Sequence, residues 1–307
     1  MISRAVPSSQ GAVRLFRVAG IQVFLHWSWF VVAVLEVQLR TRQYRSIAWN
    51  VAEYLALFAI VTLHEFGHAL ACRQVGGRAD TIVLWPLGGV AYVDPPQRPG
   101  ATLWSLAAGP LVNVVLVPVL AAALIAARSA GLAQTAPDAA MCLRAVFYIN
   151  VVLLLFNLLP VYPLDGGQIL RSLLWFVLGR ARSLTVASSL GFLGVLALLA
   201  LAVAAGSVWF GILAVFVGMS CWRGFQQARA LARLESLPRR AGLSCPSCGA
   251  APPVGTFWAC GRCRTRFDTF ETGAICPACG ATFGATRCLD CGRSSPLAEW
   301  LKARATA

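Results

Sequence analysis

Apolar residues fill the first two thirds of the chain in long, nearly unbroken stretches. A helix needs about 20 such residues to cross the hydrocarbon core of a bilayer. Six stretches approach that length: 21–39, 52–72, 101–127, 144–160, 184–205 and a shorter one at 207–222. Residues 80–99 break the pattern. Thr81 to Trp85 and Val90 to Val93 have the composition of short strands around Pro86-Leu87-Gly88-Gly89, which predicts a hairpin apolar enough to dip into the membrane. Residues 164–180 predict a shorter, re-entrant helix. Beyond 222, Phe225, Ala228, Leu231, Leu234 and Leu237 recur every third position with Arg between them. That spacing fits an amphipathic helix on the membrane surface or a solvated linker. The expected fold is therefore an all-α polytopic membrane protein of about six transmembrane helices with a membrane-dipping hairpin. It divides into a membrane domain (1–222), a linker helix (223–242) and a small cysteine-rich domain (243–307).

Composition agrees with this. Of 307 residues, 58% are hydrophobic and 12% charged, against about 25% charged in an ordinary soluble domain. The net charge of +14 has the sign associated with nucleic-acid binding, but in the membrane part Arg at cytoplasmic loop ends accounts for it. Nucleic acid stays an unlikely partner, open only for the tail. With the N-terminus inside, the inner segments carry 14 Arg and the outer loops 5. Six crossings then return the tail to the cytoplasm, giving a multi-pass protein of the cell (inner) membrane with both termini cytoplasmic. The first twenty residues hold Arg4, Arg14 and Arg17 and no apolar core, so no cleavable signal peptide is read there.

The second stretch contains His64-Glu65-Phe66-Gly67-His68. Residues i and i+4 share a helix face, so both imidazoles reach one zinc ion with a glutamate beside them to move protons. Ionisable groups at membrane depth are costly and mark function. Catalytic zinc takes three protein ligands and leaves a position open. Asp165, in Pro163-Leu164-Asp165-Gly166-Gly167, is the best third ligand because it lies at a glycine-bearing helix break; a plain helix N-cap is the competing reading. The remaining histidine, His26, is read as a buried packing residue or a gate.

These motifs, with Leu87-Gly88-Gly89-Val90-Ala91, Ala108-Gly109-Pro110-Leu111-Val112-Asn113 and Asn157-Leu158-Leu159-Pro160, make the chain resemble the site-2 protease family of intramembrane zinc metalloproteases. Gly20-Ile21 to His26-Trp27 is similar to that family's first helix, and the resemblance covers residues 15–222. It implies an endopeptidase that cuts in or near transmembrane segments of membrane-protein substrates. His64, His68 and Asp165 match the ligands of one catalytic Zn2+ and Glu65 the base. Asn157 matches a residue that steadies substrate or oxyanion, and Gly88, Gly89 and Asn113 match substrate-binding positions. The alternatives are a non-catalytic zinc-binding regulator and a zinc carrier.

The tail carries four C-x-x-C pairs: Cys245/Cys248, Cys260/Cys263, Cys276/Cys279 and Cys288/Cys291. In a reducing compartment this spacing means metal rather than disulfides. Two structural zinc ions are expected, shared between sequential pairs, with interleaved pairing as the alternative. Four thiolates leave no open position, so the tail is read as a zinc-ribbon-like binding module for a cytosolic regulatory protein. Phe257, Trp258, Arg262, Arg264, Arg266 and Phe267 form its basic, aromatic surface.

Overall fold

The computed structural model of the protein describes residues 11–39, 44–85 and 88–302. Its first elements are strands β1 (Ala12–Val18) and β2 (Ile21–His26), followed by helix α1 (Ser28–Leu39). Ala19 and Gly20 both have positive φ (49° and 75°), the backbone of a two-residue turn matched to strand twist. The expected first transmembrane helix, 21–39, is therefore a strand followed by a helix. Ile21, Val23 and Leu25 are buried along β2. Six strand residues and twelve helical ones together span about 38 Å, enough length for one crossing without a single long helix.

Helix α2 (Ile47–Gln74) follows, then β3 (Arg78–Trp85) and β4 (Gly88–Asp94). The last two form the expected hairpin, although Pro86 and Leu87 of its turn lie outside the described residues, as do Arg4, Arg40 and Arg42. The hairpin joins β1 and β2 in one sheet of order β1-β2-β3-β4, with β2 parallel to β3 and the other pairs antiparallel. Its inner face packs Ile21, Val23, Ile82 and Leu84 on Val61, Ala69 and Cys72 of α2.

Helices α3 (Pro99–Ser129), α4 (Leu132–Thr135), α5 (Pro137–Leu158), α6 (Asp165–Leu178), α7 (Arg180–Ala204) and α8 (Val208–Glu235) complete the membrane part. Five of the described helices, α2, α3, α5, α7 and α8, are long and apolar enough to cross a bilayer. Half of the most apolar stretch of α2 is buried, against 22% or less for the others. Helix α2 is thus the central one, and the others turn side chains such as Val115, Leu155, Leu196 and Val215 outward, as lipid permits. Residues 223–235, the first part of the linker helix expected over 223–242, continue α8 without a break.

The tail is built from four knuckles of one design. In each, the first Cys N–H donates to the carbonyl five residues on, and the N–H four residues on donates back to the Cys carbonyl: Cys245, Cys260, Cys276 and Cys288 all do this. The residue four positions after the first Cys has positive φ every time: Gly249, Arg264, Gly280 and Gly292. Short strand pairs, β5 (Trp258–Ala259) with β6 (Arg266–Phe267) and β7 (Thr286–Arg287) with β8 (Ser294–Ser295), lead into and out of two of them. Helix α9 (Leu297–Lys302) closes the domain by burying Trp300 against Cys245 and Cys288.

The knuckles pair in nested fashion, which corrects the sequential expectation. Cys245, Cys248, Cys288 and Cys291 form one cluster and Cys260, Cys263, Cys276 and Cys279 the other. Sulfur atoms approach to 3.8 Å in the outer cluster (Cys245–Cys291, Cys248–Cys288) and to 3.7 and 3.6 Å in the inner one (Cys260–Cys279, Cys263–Cys276). Tetrahedral zinc–sulfur bonds of about 2.3 Å place neighbouring sulfurs about 3.8 Å apart, so both clusters fit zinc. The inner cluster has its own core, in which Phe267 is buried against Phe283. Phe267 is therefore a core residue and not part of an exposed aromatic surface. Asp268 bridges linker and ribbon, accepting from Arg240 at 2.6 Å and from the N–H groups of Gly255 and Phe270. Burial opposes its ionisation, yet these donors hold its carboxyl below the ordinary range.

Nested pairing makes a stoichiometric prediction. The Cys245→Ser/Cys291→Ser double variant places both changes in one cluster and loses one zinc per chain. Cys245→Ser/Cys263→Ser damages both clusters and loses two. Elemental analysis of the purified chains distinguishes this from sequential pairing, which reverses the two results.

Candidate metal centre

His64 and His68 lie one turn apart on α2, and Asp165 is the first residue of α6. The structure brings the three to a single point. His64 Nε2 and His68 Nε2 are 3.1 Å apart, and Asp165 Oδ2 is 3.0 Å from the first and 3.3 Å from the second. Metal–ligand bonds of about 2.0–2.1 Å at tetrahedral angles separate ligand atoms by about 3.3 Å. The three atoms already have the spacing of one face of a zinc tetrahedron.

The donor chemistry fits as well. His68 Nδ1 lies 2.8 Å from the Ser105 carbonyl of α3, which only accepts, so this nitrogen carries the proton. His64 Nδ1 lies 2.7 Å from Asn113 Oδ1. The orientation of that amide follows from its neighbours. Asn150 Nδ2 of α5 donates to the Asn113 backbone carbonyl at 3.0 Å. Asn150 Oδ1 then accepts from Asn113 Nδ2 at 2.8 Å, which leaves Asn113 Oδ1 for His64. Both imidazoles thus donate through Nδ1 and present bare Nε2 lone pairs. Two lone pairs and a carboxylate oxygen converging in a buried site repel one another unless a cation lies between them.

Asn113 is fully buried, with both ends of its amide engaged. It holds His64, a position behind the ligand, where the family resemblance had suggested contact with a substrate. Asn150 carries the same network one step outward. It was not singled out from the sequence, although a lone amide in an apolar helix is itself a signal of interhelical hydrogen bonding.

Glycines set how closely the helices approach. A Cβ on Gly109 of α3 would lie 2.2 Å from His68 Nε2 and 2.8 Å from His64 Nε2. A Cβ on Gly67 would lie 2.5 Å from the Ala108 carbonyl. Gly166 and Gly167 press in the same way against the backbone of residues 158–162, which seats Asp165 beneath α5. The glycines after Asp165 therefore provide closeness rather than a bend. From the sequence Gly109 was read only as part of the motif at 108–113.

Glu65 is also buried, and its Oε2 accepts the Ala91 N–H of β4 at 2.9 Å. Gly88 and Gly89 begin the same strand, opposite Trp85 and Leu84. Asn157 is half-buried in the last turn of α5, and its side chain makes no hydrogen bond among the described residues. His26 is on β2 rather than a helix; it stacks on Trp85 with ring centroids 3.9 Å apart and its Nδ1 meets Ser28 Oγ. It is a packing residue at the deep end of the sheet.

Two imidazoles and a carboxylate on separate helices, with a glutamate beside them at membrane depth, define a membrane-embedded metal centre of the metallopeptidase kind. Comparison with known proteins gives the same class. The model of peptidase family M50 matches residues 52–142 and 125–201. A zinc metalloprotease of Methanocaldococcus jannaschii is 30% identical over 226 residues, 74% of this chain and 63% of that protein. Stage IV sporulation protein FB of Bacillus subtilis is 30% identical over 177 residues, 56% of this chain and 58% of that protein. The solved site-2 protease from M. jannaschii aligns with a TM-score of 0.52 and 28% identity, covering 70% of this chain and 95% of that one. The chain belongs to the site-2 protease (M50) family of zinc metalloproteases. It spans about three fifths of the length of these curated relatives.

Two variants test how the centre is built. Gly109→Ala places a methyl group against both Nε2 atoms and should abolish zinc binding there while the cysteine clusters keep theirs. Asn150→Leu frees the Asn113 amide and should weaken the membrane-domain zinc by roughly 10–100-fold, the usual cost of losing a ligand's supporting partner. Competition with a graded chelator measures both.

Proposed function

We propose that the chain is an intramembrane zinc endopeptidase whose substrate adds as a strand to the open edge of β4. The observation that carries this is the Ala91–Glu65 hydrogen bond. Strand β4 is the last in its sheet, so the Ala91 N–H points out of the ladder, and the group it meets is the carboxylate of the metallopeptidase motif. A helix hides its carbonyls in its own hydrogen bonds. A segment unwound and paired to β4 exposes one of them beside Glu65.

His64, His68 and Asp165 would hold the zinc ion. When bound, zinc supplies Lewis-acid polarisation of a carbonyl and acidification of water. Glu65 accepts a proton from the attacking water and delivers it to the departing amine nitrogen. Asn113 and Asn150 keep His64, and the Ser105 carbonyl keeps His68, in the tautomer that presents Nε2. Asn157, at the end of α5, is assigned by the family resemblance to steady the oxyanion through its amide N–H. Gly88 and Gly89 keep the deep end of the edge free of side chains.

The tail supports a cytoplasmic position for both termini. Its eight thiols require a reducing compartment, and with β2 and α1 counted as one crossing, the five long helices make six.

Reconstituted in liposomes with single-span substrates, the wild-type chain should cleave where Glu65→Gln is slower by at least roughly 10²–10⁴-fold, the contribution of a general base, at unchanged zinc content. Equal rates in the two proteins would remove the peptidase reading.

A further inference from the structure

Strand β4 leads from the metal centre to a second feature that the chemistry does not use. Past Ala91 the strand ends at Asp94, and Pro95-Pro96 follow, which lack the N–H groups needed to extend a ladder. Directly beyond lies an open cavity of about 500 Å³ between the membrane domain and the tail. Its membrane-domain wall comprises Val75, Gly76, Pro96 and Arg98, and its tail wall Ser247 and Arg293. The two walls touch where Arg293 donates to the Gly76 carbonyl at 3.4 Å.

The cavity is cationic. Neither Arg98 nor Arg293 pairs with a carboxylate among the described residues. The acids nearest in the register are Asp94, opposite Arg78, and Asp80, which is engaged by Arg73 at 3.0 Å. A substrate strand paired along β4 would run towards this cavity at the Asp94 end. Pro96 lies five positions after Ala91, about 16 Å of extended chain.

We infer that the cavity is an exosite for an acidic segment of the substrate, on the tail-side flank of its membrane span and about five residues from the residue that faces Ala91. This rests on the strand-addition reading above. Membrane proteins ordinarily carry Lys and Arg at that flank, so a basic exosite selects against most of them. Because Arg293 lies two residues beyond Cys291, the outer zinc cluster sets half of the exosite.

The test is binding of a labelled single-span substrate to the full chain carrying Glu65→Gln, in nanodiscs of neutral lipid. The flank is Asp/Glu-rich, Ser/Gly-rich or Lys/Arg-rich. The acidic flank should bind on the order of tenfold more tightly than the neutral one, falling as salt rises. Arg98→Glu/Arg293→Glu, checked for unchanged metal content, should prefer the basic flank. Equal binding of the three flanks by the chain with both arginines intact overturns the inference. So does a preference that appears only when phosphatidylglycerol is added, since the cavity would then hold a lipid headgroup. Cleavage by the chain with Glu65 intact is read in parallel. Flank-independent binding with cleavage preserved removes the exosite alone, whereas flank-dependent binding without cleavage supports the exosite and removes the peptidase.

Discussion

The structure is organised around three electron-pair donors that cannot share a buried point without a cation. Each donor comes from a local decision. The i, i+4 spacing places His64 and His68 on one face of α2, and the helix start at Asp165 places a carboxylate at the first turn of α6. Neither imidazole would present Nε2 reliably without a proton fixed on Nδ1. The Ser105 carbonyl fixes one, and the Asn150–Asn113 amide chain fixes the other. Helices α3 and α5 thereby act on the centre without contributing a ligand. Their close approach depends on small residues, Gly67 against Ala108 and Gly109 against the two rings. In lipid, where apolar surfaces gain little from one another, such close packing and buried hydrogen bonds hold helices together.

The sheet solves a different problem. Backbone polar groups at membrane depth must be paired or must line a cavity, and an edge strand leaves a row of them free. The Glu65 carboxylate satisfies one such group, the Ala91 N–H. One hydrogen bond thus satisfies the edge at this point. In the strand-addition proposal above, an arriving strand would take the place of the carboxylate and release it.

Much of the centre was legible in the sequence because its signals are local. The H-E-x-x-H spacing, the Asp-Gly-Gly break and the hairpin composition each lie within a few residues. What was not legible depends on neighbours far along the chain. A strand buried on both faces reads as a continuous apolar run, so Ile21–His26 merged with Ser28–Leu39 into one apparent helix; only the Ala19-Gly20 turn argued otherwise. C-x-x-C spacing specifies a knuckle but not its partner, and here each knuckle closes on one from the opposite half of a nested pair. Asn113 was visible as a motif residue, yet its role follows from His64, 49 positions away, and Asn150, 37 positions away.

The ribbon's position links these levels. Helix α2, bearing both histidines, ends next to Gly76, whose carbonyl accepts from Arg293. Helix α6, bearing Asp165, runs into Arg180, whose guanidinium donates to the Asp290 carbonyl at 2.6 Å. Asp290 also takes a two-pronged ion pair from Arg239, just beyond α8, at 2.7 and 3.1 Å. Asp290 lies inside the Cys288–Cys291 knuckle, and Arg293 two residues past it. The helices that carry the ligand set are therefore joined at their tail-side ends through a single metal-binding knuckle. A knuckle whose two thiolates join those of Cys245 and Cys248 on one tetrahedral ion would have little freedom to shear. Metal in the tail, in this arrangement, would restrain the separation of the two helices that carry His64, His68 and Asp165.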